Sequence, residues 1–144
     1  MTTLLFITLG LMIPNLSWNV RPLNFNTMQS TLTTWRQDYS EGSFEYKSTL
    51  EMIGWHATTQ TRKGCFGLYN NYELRALSQV YRQDNETFLR SMITPNEEET
   101  AGTILMYKIL EFDDIKVDWD AIQKNLRWYV AALFIKENST SIFL

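Results

Sequence analysis

The stretch Glu86–Ile109, ETFLRSMITPNEEETAGTILMYKI, decides the fold, and it can be parsed in two ways. In the first, Thr94-Pro-Asn-Glu97 is a capping box with proline at the first helical position. The glutamates Glu97–Glu99 then sit where a helix dipole favours negative charge. In the second, Leu89, Ser91 and Ile93 alternate with Phe88, Arg90 and Met92, and Leu105, Tyr107 and Ile109 alternate with Met106, Lys108 and Leu110. Period two marks half-buried strands. TPNEEETAG would be their exposed loop, and Gly102 weakens a helix there by roughly 1 kcal/mol. The alternation accounts for more residues, so it predicts a hairpin.

The same periodicity recurs upstream. Phe44, Tyr46, Ser48, Leu50 and Met52 share one parity, opposite Glu45, Lys47, Thr49 and Glu51. After Gly54, the stretch from Trp55 to Thr61 alternates again and is rich in β-branched residues. TRKG reads as a turn and CFGLY as a short apolar run. Residues 70–83 fit a capped helix or a strand equally. Residues 18–42 are polar and irregular around Trp35. At the other end, Asp118 is a good N-cap, and Trp119, Ile122, Leu126, Tyr129 or Val130, and Leu133 recur every three or four residues. An amphipathic helix is predicted from Asp118 to Lys136.

Composition limits the partners. A chain of 144 residues suits one domain, and its net charge of −3 is spread without a basic stripe, which argues against nucleic acid. LLFITLGLMI, Leu4–Ile13, is too short to span a bilayer. With Pro14, Asn15 and Ser17 after it, it reads as a secretory leader, residues 1–17. The remainder, residues 18–144, forms the single domain of an extracellular protein with no stable membrane insertion. Asn85-Glu-Thr87 and Asn138-Ser-Thr140 are then candidate glycosylation sites. Cys65, the single cysteine, is either buried and free or joins a second chain in a disulfide-linked dimer.

Patches along the chain resemble the lipocalins, in particular their urinary-protein and odorant-binding branch. LNFNTMQSTLTTW (Leu23–Trp35) resembles that branch's opening, which leads to a tryptophan. EGSFEYKSTLEM (Glu41–Met52) resembles its second strand. DNETFLRSMI (Asp84–Ile93) and ETAGTILMYKI (Glu99–Ile109) resemble its last barrel hairpin, and FIKENSTSIF (Phe134–Phe143) its final strand. The glycine two residues before the tryptophan is Thr33 here, the second family cysteine is absent, and the middle is short by a strand or two.

The resemblance implies a mainly β fold: a small antiparallel up-and-down barrel, complete or short of strands, with the C-terminal helix packed outside. It also implies carriage of a small hydrophobic ligand of the odorant, lipid or retinoid class. Phe44, Tyr46, Leu89, Ile93, Leu105, Tyr107 and Ile109 would line the cavity, and Trp35 would close the barrel. The capped-helix parse gives the alternative, a mainly α bundle acting like a secreted cytokine through a receptor. His56 is the single histidine, Cys65 has no evident histidine partner, and no phosphate loop, zinc spacing or nucleophile elbow occurs. No catalysis, cofactor or metal is expected.

Overall fold

The computed structural model describes residues 18–58, 62–95, 99–112 and 114–143. The expected leader, the Asn96–Glu97 half of the capping box, and Asp113 lie outside the described residues. The fold mixes α and β. In chain order it runs β1 (Trp18–Leu23), α1 (Phe25–Arg36), α2 (Phe44–Thr58), β2 (Arg62–Asn70), β3 (Glu73–Gln83), β4 (Glu86–Ile93), α3 (Glu99–Leu110), β5 (Ile115–Val117), α4 (Trp119–Ile122) and α5 (Leu126–Phe143). A 3₁₀ turn, Gln123–Asn125, joins α4 to α5.

The strands form one open sheet in the order β1-β2-β3-β4-β5. Neighbours are antiparallel except for β4 and β5, which are parallel. Among the described residues no pairing joins β1 to β5, so the sheet is open rather than the up-and-down barrel, complete or short of strands, implied by the resemblance. Helices cover both faces. Helices α3 and α5 pack with Leu68, Ala76, Val80, Leu89 and Met92 on one face. Helices α1 and α2 pack with Cys65, Leu77 and Ile93 on the other.

Each half of the opening stretch follows a different parse. Glu86–Ile93 is a strand, whereas Glu99–Leu110 is a helix. Leu105, Tyr107 and Ile109 are therefore helical, not a barrel strand. In that helix all residues from Ala101 to Met106, together with Ile109, are buried. A helix buried around most of its circumference shows no polar face, so parity in its sequence carries no information. Gly102 belongs in it because the Trp128 indole lies where a side chain would begin: a Cβ there would sit 2.3 Å from the ring.

The strands expected over residues 43–61 are replaced by α2 as far as Thr58, and residues 59–61 lie outside the described residues. Phe44, Ser48 and Met52 satisfy period two, but they also recur every four residues, which a helix uses equally well. Thr49, Met52 and His56 mark its buried stripe. Its start is set by Ser43, whose hydroxyl accepts the Tyr46 N–H at 3.2 Å. Before it, Asn24 caps α1 by accepting the Thr27 N–H at 2.8 Å. Hence Trp35 lies buried on a helix and closes no barrel.

Of the ambiguous residues 70–83, Glu73–Gln83 form β3, and Arg62-Lys63-Gly64 of the expected turn lies in β2 together with CFGLY, while Thr61 lies outside the described residues. The C-terminal helix starts as predicted, with Asp118 accepting the Ala121 N–H. It then passes through the 3₁₀ turn, which advances only three residues per turn and so rotates the face that follows. Trp128, Ala132 and Ile135 are buried, while Leu126 and Val130 are exposed. The helix continues to Phe143, where a final strand was expected.

Candidate functional site

Strand β4 contains one residue more than its neighbour requires. Val80 pairs with Leu89 and Gln79 with Ser91, which leaves Arg90 as a bulge. A bulge re-aims the side chains that follow it. Leu89 and Met92 join the cluster under α3 and α5, whereas Ile93 joins the cluster under α1 and α2. The sequence parity that grouped Leu89 with Ile93 is broken at this residue.

The bulge also turns Arg90 toward α2. Its guanidinium pairs with Glu51, donates to Gln79 Oε1 at 3.1 Å and lies 4.3 Å from the centre of the Trp55 ring. Ser91 donates to the same Gln79 oxygen at 2.9 Å, and Gln79 Nε2 donates to the Met52 carbonyl at 2.7 Å. Every polar atom in this knot that faces the interior has a partner, as burial requires.

Beyond the bulge, β4 stays paired with β3 on one side, but among the described residues no strand continues beside it on the other. The parallel pairing with β5 covers Thr87, Phe88 and Leu89. The Asp118 N–H donates to the Leu89 carbonyl at 3.0 Å, and the chain then turns away into α4. Tyr81 fixes this departure by donating its hydroxyl to Asp118 Oδ2 at 2.8 Å. Burial, together with that carboxylate, pushes the Tyr81 phenol up to about 12. In the gap, the Met92 N–H donates to Asn125 Oδ1 at 3.4 Å, so one side chain replaces the missing strand.

A groove opens where the strands diverge. Its larger hollow has a volume of about 300 Å³, at the low end for small-molecule sites. Met92, Ile93 and Thr94 form its floor, and Tyr39, Phe44 and Trp128 give it aromatic walls. Glu45, Ser48, Asn125 and Arg127 supply polar groups. A second hollow of about 240 Å³ adjoins it, sharing Phe44, Ser48, Met92 and Asn125 and reaching Glu51, Arg90 and Asp120. Arg127 is paired with Glu99 at 2.6 Å, and Glu99 also accepts the Trp128 indole N–H at 3.1 Å. Tyr39 donates its hydroxyl to the Thr94 carbonyl. The Thr94 hydroxyl itself, in a residue only 1% exposed, has no hydrogen-bond partner among the described residues.

Of the expected ligand-binding residues, Phe44 and Ile93 line this groove. Leu89, Leu105 and Ile109 are buried in the cluster across the sheet, and Tyr107 packs against that cluster. Tyr46 lies on α2 with the Arg36 guanidinium 5.7 Å from its ring centre. These seven residues therefore do not share a cavity. Tyr39, Met92, Thr94, Asn125 and Trp128 were not anticipated. The available signal was Thr94-Pro95 after an apolar run, which marks a strand's end.

Asn85 is exposed in the β3–β4 turn, where Asp84 and Asn85 have φ of 53° and 63°, the conformation a two-residue hairpin requires. Asn138 lies on α5, with its side-chain N–H donating to the Phe134 carbonyl at 2.8 Å. Cys65 is free and buried, and burial pushes its thiol up to about 12. An interchain disulfide would first have to open the cluster around Met28 and Leu77. His56 stacks on Phe25 with ring centres 5.3 Å apart, and burial, aided by the Lys63 charge, lowers its pKa.

Among the described residues no group of three or more His, Cys, Asp or Glu side chains is placed to hold a metal ion. No helix among them is long and apolar enough to cross a membrane. No protein-family model matches the chain, and no curated protein matches it.

Proposed function

We propose that this protein binds a small, largely apolar molecule, not in a barrel but in the groove between β4, α2 and the α4–α5 corner. The observation that carries this reading is the gap beside Met92 and Ile93. Here the sheet loses a strand and the space is walled by Tyr39, Phe44 and Trp128 rather than filled. Binding would be driven by burial of ligand apolar surface, at about 25 cal/mol per Å² before ordering costs. The role we read is carriage or sensing: among the described residues the groove's polar groups include no histidine or cysteine. In this reading residues 1–17 are a removed leader, and the mature chain works outside the cell.

Titration with the fluorescent probe N-phenyl-1-naphthylamine tests the groove. Saturable uptake by the folded protein is expected, with loss on Phe44→Asp. Phe44 is 46% exposed, so that substitution leaves the core intact. Uptake that ignores Phe44→Asp, or no uptake at all, would remove the proposal.

A further inference from the structure

We infer that the ligand of this groove carries an uncharged carbonyl oxygen, as in a ketone or an ester, between apolar arms that occupy the two hollows. The inference rests on the binding role proposed above and adds the ligand's polar group. Four residues border both hollows: Phe44, Ser48, Met92 and Asn125. Two of them are polar, and those two set what can sit where the hollows meet.

Asn125 is 8% exposed, and the sheet fixes which way its carboxamide faces. Only the oxygen can accept the Met92 N–H, so Nδ2 is the atom turned from that bond. That nitrogen has two N–H donors and makes no hydrogen bond among the described residues. Among those residues the sealed side-chain polar atoms without a partner are His56 Nδ1 and the Thr94 hydroxyl, so Asn125 Nδ2 keeps contact with open space. Ser48 is similar. Thr33, Thr34 and Thr58 donate their helical hydroxyls to the carbonyl four residues back, whereas the Ser48 hydroxyl makes no such bond. An amide donor and a hydroxyl thus stand unengaged on the border that the two hollows share.

The groups around them choose the acceptor. An ammonium has donors only, so Asn125 Nδ2 offers it nothing. A carboxylate or phosphate would face Glu45 and Asp120, because Arg90 is engaged by Glu51, and Arg127 by Glu99 and the Trp128 ring. A neutral carbonyl oxygen has two lone pairs and no charge, so it can take one bond from Asn125 and a second from Ser48. A hydrocarbon would shut both donors away from water without a partner. A site built to hydrogen-bond rejects the analogue that lacks the group for this reason.

Displacement of N-phenyl-1-naphthylamine from the full chain at pH 8 tests this with four probes of one shape: 2-acetonaphthone, 2-isopropenylnaphthalene, 1-(2-naphthyl)ethylamine and 2-naphthoate. The ketone is expected to bind about tenfold more tightly than the hydrocarbon, as two neutral hydrogen bonds give, and more tightly than the amine or the naphthoate. Asn125→Asp keeps an oxygen for the Met92 N–H and removes the donor, so ketone and hydrocarbon should come within about twofold of each other. Ser48→Ala should reduce the ratio to about threefold. A ketone no tighter than the hydrocarbon overturns the inference, and so does a ketone preference that survives Asn125→Asp. If that variant fails to fold, Ser48→Ala decides alone, and an unchanged ratio there has the same consequence. If all four probes displace the dye alike, the carbonyl inference falls while the groove stands. If the dye itself does not bind, both fall.

Discussion

The two faces of the sheet are built on different terms. Under α3 and α5 the buried cluster is predominantly apolar, from Trp18 to Ile135, with Thr103 of α3 buried beside it, and packed closely enough that an indole rests against a glycine. Under α1 and α2 the buried set is interleaved with Thr49, His56 and Gln79, and the groove opens at its edge. The first face supplies stability and has no room for anything else. The second gives up part of that stability to keep polar atoms in a fixed arrangement. The difference implies that side-chain deletions should cost most on the first face, and that some on the second should even be favourable.

The largest expected effect is on the dry face. Leu105 is fully buried among Ile104, Met106 and Ile109, and Leu105→Ala should lower unfolding free energy by about 2–5 kcal/mol in urea denaturation. A loss below about 1 kcal/mol would break the contrast between the faces. Next, Gly102→Ala places a Cβ inside van der Waals contact with two fused-ring atoms of Trp128, at 2.3 and 2.5 Å. Alanine favours a helix by about 1 kcal/mol over glycine, yet a net loss of about 1–3 kcal/mol is expected because the rigid indole must move. Quenching and a wavelength shift of Trp fluorescence should accompany it.

On the groove face the sign reverses. Thr94→Val keeps the shape and removes a buried hydroxyl that has no partner among the described residues, so it should raise stability by about 1 kcal/mol, read as a higher denaturation midpoint. The smallest effect is a pH dependence at His56. Its pKa is lowered in the folded state by burial and by Lys63. The unfolded chain therefore takes up the proton first as pH falls below about 6.5, and stability present above that value declines on acidification. His56→Phe should flatten the curve of denaturation midpoint between pH 7 and 5. An unchanged slope would mean that other groups set the acid response.

Much of the fold was legible at its boundaries and less so within them. The Asp118 cap and the strand ending at Ile93 carry local chemistry that a sequence shows directly. Helices α2 and α3 were hidden because spacing by four satisfies period two, and because a helix buried on nearly all sides has no alternation to display. The stretches that resemble lipocalins at Leu23–Trp35 and Glu41–Met52 coincide largely with α1 and α2, so the similarity lies in residues and not in strands. The groove was legible only in Phe44 and Ile93. Its other walls come from segments more than thirty residues apart, and from a bulge that no pattern of hydrophobicity announces.

That single extra residue at position 90 divides one short strand between two constituencies. Substitutions at Leu89 are answered by α3 and α5, whereas those at Ser91 and Ile93 are answered by α1, α2 and whatever occupies the groove. Ligand preference can thus drift through the end of β4 while the scaffold keeps its sequence, and a deletion of Arg90 would fuse the two histories into one.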